Sequence, residues 1–269
     1  MTVTRIPRQP IDLRSALANA VERDEFGLEY QPIIDLQTGA IAAVEALLRW
    51  RHPLLGTIPV GDYLPVAEET GLIVPIGERV IDAACRQLRT WHLGFSRLPS
   101  LAVSVNISPQ QLGAPGFADF VRGALERHEV MPDWLTFELT PGCGNLVEPA
   151  RDLASLDIRL CQDDFGADDT LRDLLRLPLS AVKLHASFVA ASAGSKEDAV
   201  FAEALLSIAQ ARGLQTMGKG VETRAQARRL ANLACSLGQG FLYSKPLGPE
   251  GIGTLLSRGV LAGGARSFG

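Results

Sequence analysis

Polar and charged residues stand at or near the ends of successive apolar segments, and their types suit metal or phosphate chemistry. They are Asn106, Glu138, Asp163, Asp164, Lys183, Lys219 and Gln239, together with Glu45, which lies within the second segment. If the segments are parallel strands of a barrel, these side chains converge on one mouth, where active sites are built. Carboxylates and an amide oxygen are ligands that suit a hard divalent cation. Any one of these residues could belong to a surface loop, but a ring of them is hard to explain as solubility.

The elements that must position these residues alternate between β-rich and helical patterns. Strands are predicted at residues 28–34, 42–50, 101–107, 135–139, 159–162, 181–184, 214–217 and 240–243. Helices are predicted at residues 13–23, 60–69, 75–91, 117–128, 171–176, 199–211 and 223–232. This alternation over about 250 residues favours an α/β fold, a modified (β/α)8 TIM-like barrel. The first two strands are joined only by DLQTGA, so we expect one antiparallel strand near the start.

Composition narrows the class of protein. The chain has 269 residues, 46% hydrophobic and 21% charged, with a net charge of −4, which is typical of a globular domain and argues against general nucleic-acid binding. The arginines of residues 224–229 (RAQARR) are most simply a solvated helix face. The four cysteines lack CxxC spacing and are expected to be buried, reduced thiols. No apolar stretch is long enough to span a membrane, and the first residues lack a signal core, so a soluble, cytoplasmic protein is expected.

A run of motifs beginning at Glu45 resembles the EAL-domain family, which includes the cyclic di-GMP phosphodiesterases. In order, the chain reads EALLRWRHP, LPVAEETGLIVPIGE, SVNISPQQL, FELT, DDFG, GVET and GQGFLYSKPL. The similarity runs from about Leu13 to Leu247. We therefore predict an EAL domain at residues 11–258, an N-terminal tail at 1–10 and a C-terminal tail at 259–269.

The resemblance implies hydrolysis of cyclic di-GMP with two divalent cations, usually Mg²⁺ or Mn²⁺, placed to activate a water. By motif position, the first metal would be held by Glu45, Asn106, Glu138 and Asp163, and the second by Asp164. Lys183 and Glu222 would belong to the catalytic mouth, with Lys183 near the attacking water. The ligand-binding residues implied are Gln31, Glu45, Leu47, Arg49, Asp163, Lys183, Glu222 and Gln239. Arg49 can fork two hydrogen bonds to a phosphate, and Gln239 can pair with a guanine edge.

The chain departs from the family where a second-metal glutamate is usual. That position is Lys219, between Gly218 and Gly220. An ammonium about 4 Å from a dication would cost on the order of 8 kcal/mol before relaxation, at an effective dielectric constant near 20. We therefore expect at most one metal ion, and we expect Lys219 to neutralise Asp163 and Asp164. The alternative is that Lys219 points aside into solvent.

Further departures point toward lost catalysis. Pro141 replaces an acid of the family, His185 replaces another, and the loop after DDFG reads ADDTLRDLL and is one residue short. The segment between Glu138 and Asp163 is also short, so its helix, around residues 148–156, should be trimmed or irregular. Each change also has a simpler explanation: Pro141 is loop drift, and His185 is a neutral histidine hydrogen-bonded at a strand end.

Three functions stay open at this point. The first is a degenerate EAL domain that binds cyclic di-GMP with little or no hydrolysis, as a receptor in bacterial second-messenger signalling. The second is an active, slow phosphodiesterase that yields pGpG. The third is a protein-interaction module that no longer binds nucleotide. The resemblance also implies possible partners: attached sensor or GGDEF domains, a protein partner, or a second copy in a homodimer.

Overall fold

The computed structural model describes residues 12–95, 101–167, 170–191 and 196–258. Both predicted tails lie outside this range, so their boundaries stay predictions. The strands are β1 Phe26–Asp35, β2 Ile41–His52, β3 Gly56–Ile58, β4 Ala102–Ile107, β5 Leu135–Leu139, β6 Arg159–Phe165, β7 Ala181–Leu184, β8 Gln215–Lys219 and β9 Leu237–Gln239. The helices are α1 Leu13–Glu22, α2 Val60–Thr70, α3 Ile73–Gly94, α4 Pro109–Leu112, α5 Phe117–His128, α6 Val147–Ala154, α7 Thr170–Arg176, α8 Ala186–Ala191, α9 Lys196–Ala211, α10 Arg224–Asn232 and α11 Pro249–Arg258.

Eight of the strands close into a barrel, which confirms the predicted fold. The pairing order is β1, β9, β8, β7, β6, β5, β4, β2, and an additional β1–β2 pairing completes the ring. Strand β1 runs antiparallel to both of its neighbours, whereas the pairings from β2 through β4 to β9 are parallel. The antiparallel hairpin expected from the short DLQTGA connection is therefore present. The short β3 extends the end of β2 outside the ring.

The prediction of the last strand was wrong. Residues 240–243 form a turn, and the strand lies just before them, at Leu237–Gln239. Gly240 packs so closely on the next loop that an added Cβ would lie 2.1 Å from the carbonyl oxygen of Val221. An apolar segment in such a turn resembles a strand in sequence, because periodicity does not distinguish the two over four residues. Gln239 is therefore the last residue of the strand rather than a residue that precedes it.

The helices pack apolar faces against the ring. In α3, the longest of the described helices, the buried residues include Ile76, Val80, Ala84, Leu88 and Trp91, at the three- or four-residue spacings that place side chains on one face. Helix α6 has eight residues, Val147–Ala154, where a trimmed or irregular helix was predicted around residues 148–156. The arginine-rich segment lies in α10, where Arg224 and Arg228 are exposed as predicted.

The sequence also predicted buried, reduced cysteines and no apolar stretch long enough to span a membrane. All four cysteines are buried and have free thiols, as predicted. Within the described parts of the chain, none of the helices combines the length and apolar character that crossing a bilayer requires.

Candidate functional site

The two adjacent aspartates reach the barrel mouth because strand β6 is irregular at its end. The pairing of β6 with β7 shifts register between Gln162 and Phe165. Asp164 adopts a left-handed backbone with φ of 52°, a conformation that aspartate tolerates better than most residues. Successive side chains of a regular strand point to opposite faces, and a bulge of this kind re-aims them. Asp163 and Asp164 can therefore both approach the same ammonium group.

The glycines on either side of Lys219 fix the end of β8. A Cβ on Gly218 would lie 2.5 Å from a methyl carbon of Leu230 in α10, so the strand packs against the helix only with glycine there. Gly220 has φ of 76°, which turns the chain sharply after the strand. Lys219 itself pairs with Gln239 of β9 in register. The lysine is thus held between two tight backbone contacts at the mouth.

A buried cluster around Lys183 forms the floor of the site; we call it the floor cluster. The Lys183 Nζ donates to Glu45 Oε2 at 2.8 Å and to Glu138 Oε2 at 2.7 Å. Glu45 also accepts from Asn106 Nδ2 at 2.7 Å and from Gln239 Nε2 at 2.7 Å. These five residues come from strands β2, β4, β5, β7 and β9, so the closed barrel is what brings them together.

The two floor carboxylates differ in their proton affinity. Burial would raise the pKa of Glu45, but the Lys183 ammonium and the hydrogen bonds from Gln239 and Asn106 lower it to about 2. Burial and the neighbouring Glu45 charge raise the pKa of Glu138 to about 7, against the pull of Lys183. Burial would lower the pKa of Lys183, but Glu138 and Glu45 raise it, so the amine stays charged.

A second cluster, which we call the rim cluster, contains Lys219, Asp163 and Asp164. The Lys219 Nζ lies 3.0 Å from Asp163 Oδ1 and 3.2 Å from Asp163 Oδ2, and it also contacts Asp164 Oδ1. Burial would lower the pKa of Lys219, but Asp163 and Asp164 raise it. The lysine does not point aside into solvent. His185 completes this side of the mouth, with Nε2 at 3.8 Å from Asp164 Oδ1 and Nδ1 at 2.7 Å from Ser187 Oγ.

Both clusters border a cavity of about 240 Å³ that opens at the mouth. Its lining includes seven of the polar residues singled out in the sequence: Gln31, Glu45, Asp163, Lys183, Lys219, Glu222 and Gln239. A neighbouring apolar cavity of about 260 Å³ is lined by Leu47, Arg49 and Asn106, among others. The Asn106–Glu45 hydrogen bond joins the two linings. Glu138 lies beneath, fully buried.

Beyond the floor and rim clusters, two more of the expected ligand-binding side chains already have protein partners. Gln31 Nε2 donates to the carbonyl oxygen of Ser244 at 3.0 Å, which holds the loop after β9. Arg49 Nε donates to Glu29 Oε2 at 2.9 Å, and its guanidinium also reaches the Leu48 carbonyl oxygen. Arg49 could therefore bind a phosphate in two ways. It could use the N–H groups that make none of these contacts, or the phosphate could replace Glu29 as its partner.

Sequence reasoning missed three residues of the cavity wall: Ala186, Gly240 and Phe241. Phe241 stands at the rim with 60% of its surface exposed, and the Lys245 Nζ lies 5.8 Å from its ring centroid. An exposed aromatic ring at a pocket rim is a platform on which a base can stack. The signal was in the sequence, since Phe241 belongs to GQGFLYSKPL, but these residues were predicted as a strand rather than as a turn at the mouth.

Comparison with protein families decides the classification. The model of the family described as "EAL domain" matches residues 14–246. The chain belongs to the EAL domain family. Its curated relatives include MucR of Pseudomonas aeruginosa, described as a bifunctional diguanylate cyclase/cyclic di-GMP phosphodiesterase, at 37% identity over 90% of this chain. They also include NbdA of the same organism, a cyclic di-GMP phosphodiesterase, at 35% identity over 89% of this chain. The EAL chain covers 36% of MucR and 31% of NbdA, about a third of their length.

Solved EAL structures agree with the fold. The MucR phosphodiesterase in complex with cyclic di-GMP has a TM-score of 0.83 and 37% identity, over 90% of this chain and 100% of that one. The EAL domain of Mycobacterium smegmatis DcpA has a TM-score of 0.73 and 30% identity, over 87% of this chain and 96% of that one. The barrel of this chain is thus similar to a relative captured with cyclic di-GMP.

The residues fit the two metal ions implied by the EAL resemblance unequally. The first set has suitable oxygen donors, and Glu138 Oε1 has no hydrogen-bond partner among the described residues, so a hard cation there could use it. In the second set, the Lys219 ammonium occupies the space between Asp163 and Asp164, and a dication does not fit beside it. As arranged in the described residues, with Lys183 bridging Glu45 and Glu138, no three or more His, Cys, Asp or Glu side chains are placed to hold a metal, so the first set fits a cation by its donor chemistry only.

Proposed function

We propose that this EAL domain is a receptor that binds cyclic di-GMP at the barrel mouth with little or no hydrolysis. The single observation that carries the proposal is the Lys219 ammonium in contact with both Asp163 and Asp164. The ligand-binding residues expected of the family are kept around it, whereas the carboxylate expected to help prepare a water is replaced by a cation.

Support for binding comes from the shape and chemistry of the mouth. The polar and the apolar cavity each hold less than the roughly 300 Å³ typical of a ligand pocket, so a dinucleotide would extend over both. Gln239, whose Nε2 donates to Glu45, could present its amide oxygen to a base edge, and Phe241 offers an exposed ring. The MucR complex supports the same ligand class, because MucR shares this barrel at 37% identity.

Support for the loss of hydrolysis comes from the rim cluster. Lys219 adds positive charge and removes a ligand where the family resemblance places a second cation. Without that ion, activation of water would depend on the floor cluster alone, in which Lys183 already donates to Glu45 and Glu138. Pro141 and His185, each in place of a family acid, remove further carboxylates from the region.

The test is a pair of measurements on the same preparation. Isothermal titration with cyclic di-GMP measures binding, and chromatography of the nucleotide after incubation with Mg²⁺ or Mn²⁺ measures pGpG. Binding without pGpG is the expected outcome. Rapid metal-dependent turnover would establish the phosphodiesterase instead, and the absence of both binding and turnover would establish the interaction module.

The variant Lys219→Glu sharpens the test of hydrolysis. We expect it to restore little turnover, since Pro141 and the altered loop after β6 remain. The matched control is Arg122→Glu, which makes the same change of charge on the exposed face of α5. Full restoration of hydrolysis by Lys219→Glu alone would show that Lys219 alone prevents it, and that the other departures have little effect on catalysis.

A further inference from the structure

We propose that the Lys219 ammonium is the fixed cation of the ligand site, so that a phosphodiester ligand binds there without any divalent metal ion. This inference rests on the proposed function and deepens it, because it assigns the cofactor requirement of the same site. It predicts a receptor whose response does not depend on metal availability.

The position of the ammonium supports this role. Lys219 Nζ touches two carboxylates that a bulge brings to one point, and Lys219 also lines the open cavity of about 240 Å³. An ammonium has three N–H donors. Its contacts are with both oxygens of Asp163 and one of Asp164, so a ligand oxygen on the cavity side would share or replace one of the two Asp163 contacts. A phosphate oxygen of a ligand is a suitable acceptor for the ammonium.

The two lysines of the mouth are not equivalent in this respect. Lys183 also lines the cavity and is charged, but only 2% of its side chain is exposed, and its ammonium is held by Glu45 and Glu138. Lys219 has 24% of its side chain exposed. Of the two, Lys219 is therefore the one that a ligand can reach without disrupting a buried ion cluster.

Charge balance explains why the ammonium matters. Without Lys219, Asp163 and Asp164 would stand as adjacent uncompensated carboxylates at the mouth, with Glu222 on the same cavity. Such a mouth would repel an anionic phosphodiester more strongly than the native mouth, in which Lys219 offsets one of the two aspartate charges. A divalent cation could supply the missing charge, but it cannot share the space with Lys219. The chain therefore carries its counter-cation covalently.

The experiment titrates cyclic di-GMP into the protein, once with EDTA and once with Mg²⁺. The variants are Lys219→Met, which removes the charge, and Lys219→Glu, which replaces it by a carboxylate. Arg122→Met is the control, because it removes one positive charge on the exposed face of α5, away from the cavity. Thermal unfolding checks that each variant is folded, and electron paramagnetic resonance of added Mn²⁺ measures metal binding without reference to activity.

For the wild type we expect affinities in EDTA and Mg²⁺ that agree within about threefold, and no tightly bound Mn²⁺ at the rim cluster. Lys219→Met should weaken binding in EDTA at least about tenfold, the effect of losing one close charge in a partly screened site. Lys219→Glu should bind weakly in EDTA and recover with Mg²⁺, and its Mn²⁺ signal should increase. Arg122→Met should behave as the wild type.

Two failures are distinguishable. If the wild type binds cyclic di-GMP with Mg²⁺ but loses it in EDTA, the fixed-cation proposal is wrong and the receptor proposal stands. If the wild type binds in neither condition, the receptor proposal itself fails. Equal losses for Lys219→Met and Arg122→Met would also overturn the inference, because the effect would then be one of net charge.

Discussion

The floor and rim clusters lie on interleaved strands of one barrel, since β7 with Lys183 runs between β6 and β8, and each contains a lysine that bridges two carboxylates. They differ in depth. Lys183 is 2% exposed and Glu138 is fully buried, whereas Lys219 is 24% exposed and its aspartates lie near the opening. The floor cluster also gathers Asn106 and Gln239. The same pairing, one lysine between two carboxylates, therefore occurs once in the buried interior and once near solvent.

The difference in depth separates folding from binding. Removing one partner of a buried ion pair leaves an uncompensated charge and is strongly destabilising, whereas exposed pairs contribute little to stability. The floor cluster should therefore be needed for a stable barrel, and the rim cluster should be available for a ligand. The predictions that follow test this contrast, from the largest expected effect to the smallest.

Lys183→Met should lower the free energy of unfolding by about 3–5 kcal/mol, because Glu45 and Glu138 would face each other without a counter-charge. Urea denaturation followed by circular dichroism measures it. The control is Lys183→Met combined with Glu138→Gln, which should recover part of the loss. If Lys219→Met were equally destabilising, the contrast between the clusters would be wrong.

The free energy of unfolding should fall with rising pH because Glu138 loses its proton. Its pKa is raised from 4.5 to about 7 in the folded protein, so the protonated form is favoured by folding. That contribution is fully present below pH 4.5 and is lost as the pH rises through about 7, on the order of 3 kcal/mol in total.

The measurement is urea denaturation across this pH range for the wild type and Glu138→Gln. The difference between the two should follow the loss just described, since glutamine does not titrate. Because the pKa of Glu45 is lowered to about 2, its own contribution is present above pH 4.5 and is lost only as the pH falls toward 2. Parallel pH curves for the two proteins would contradict the raised pKa.

Phe241→Ala should weaken cyclic di-GMP binding about tenfold, since stacking of one base on an aromatic ring contributes about 1–3 kcal/mol. The ring is 60% exposed, so the free energy of unfolding should change by no more than about 0.5 kcal/mol. Titration calorimetry and urea denaturation measure the two effects. Leu93→Ala, at another exposed apolar side chain on α3, is the control. Unchanged affinity would remove Phe241 from the ligand site.

Asp164→Asn should lower the free energy of unfolding by about 1 kcal/mol or less. It removes one partly exposed ion pair with Lys219, and asparagine tolerates the left-handed backbone of this position. Asp164→Val, which a left-handed backbone disfavours, should be the more destabilising of the two in urea denaturation. If Asp164→Asn lowered the free energy of unfolding as much as Lys183→Met, the rim cluster would contribute as strongly to stability as the floor cluster, and the contrast would be wrong.

Much of the barrel could be predicted from local patterns. Strands 135–139 and 181–184 and helix 117–128 were predicted with their observed bounds, because apolar periodicity and turn residues are local signals. Strand β3 and helices α4, α8 and α11 were not predicted. The first three are short, with three, four and six residues, so their patterns are too brief to detect. The turn at 240–243 was mistaken for a strand because its packing depends on Val221, on another loop.

The sequence by itself determined which chemical groups reach the mouth, because all but Glu45, which lies inside β2, stand at or beside a strand end and parallel strands end together. It also determined that an ammonium replaces a carboxylate at position 219. Only the tertiary structure decided that Lys183 pairs with Glu45 and Glu138 while Lys219 pairs with Asp163 and Asp164. Partner choice and burial depend on distances across a closed ring between residues as far apart in sequence as Glu45 and Lys183, and no local pattern encodes those distances.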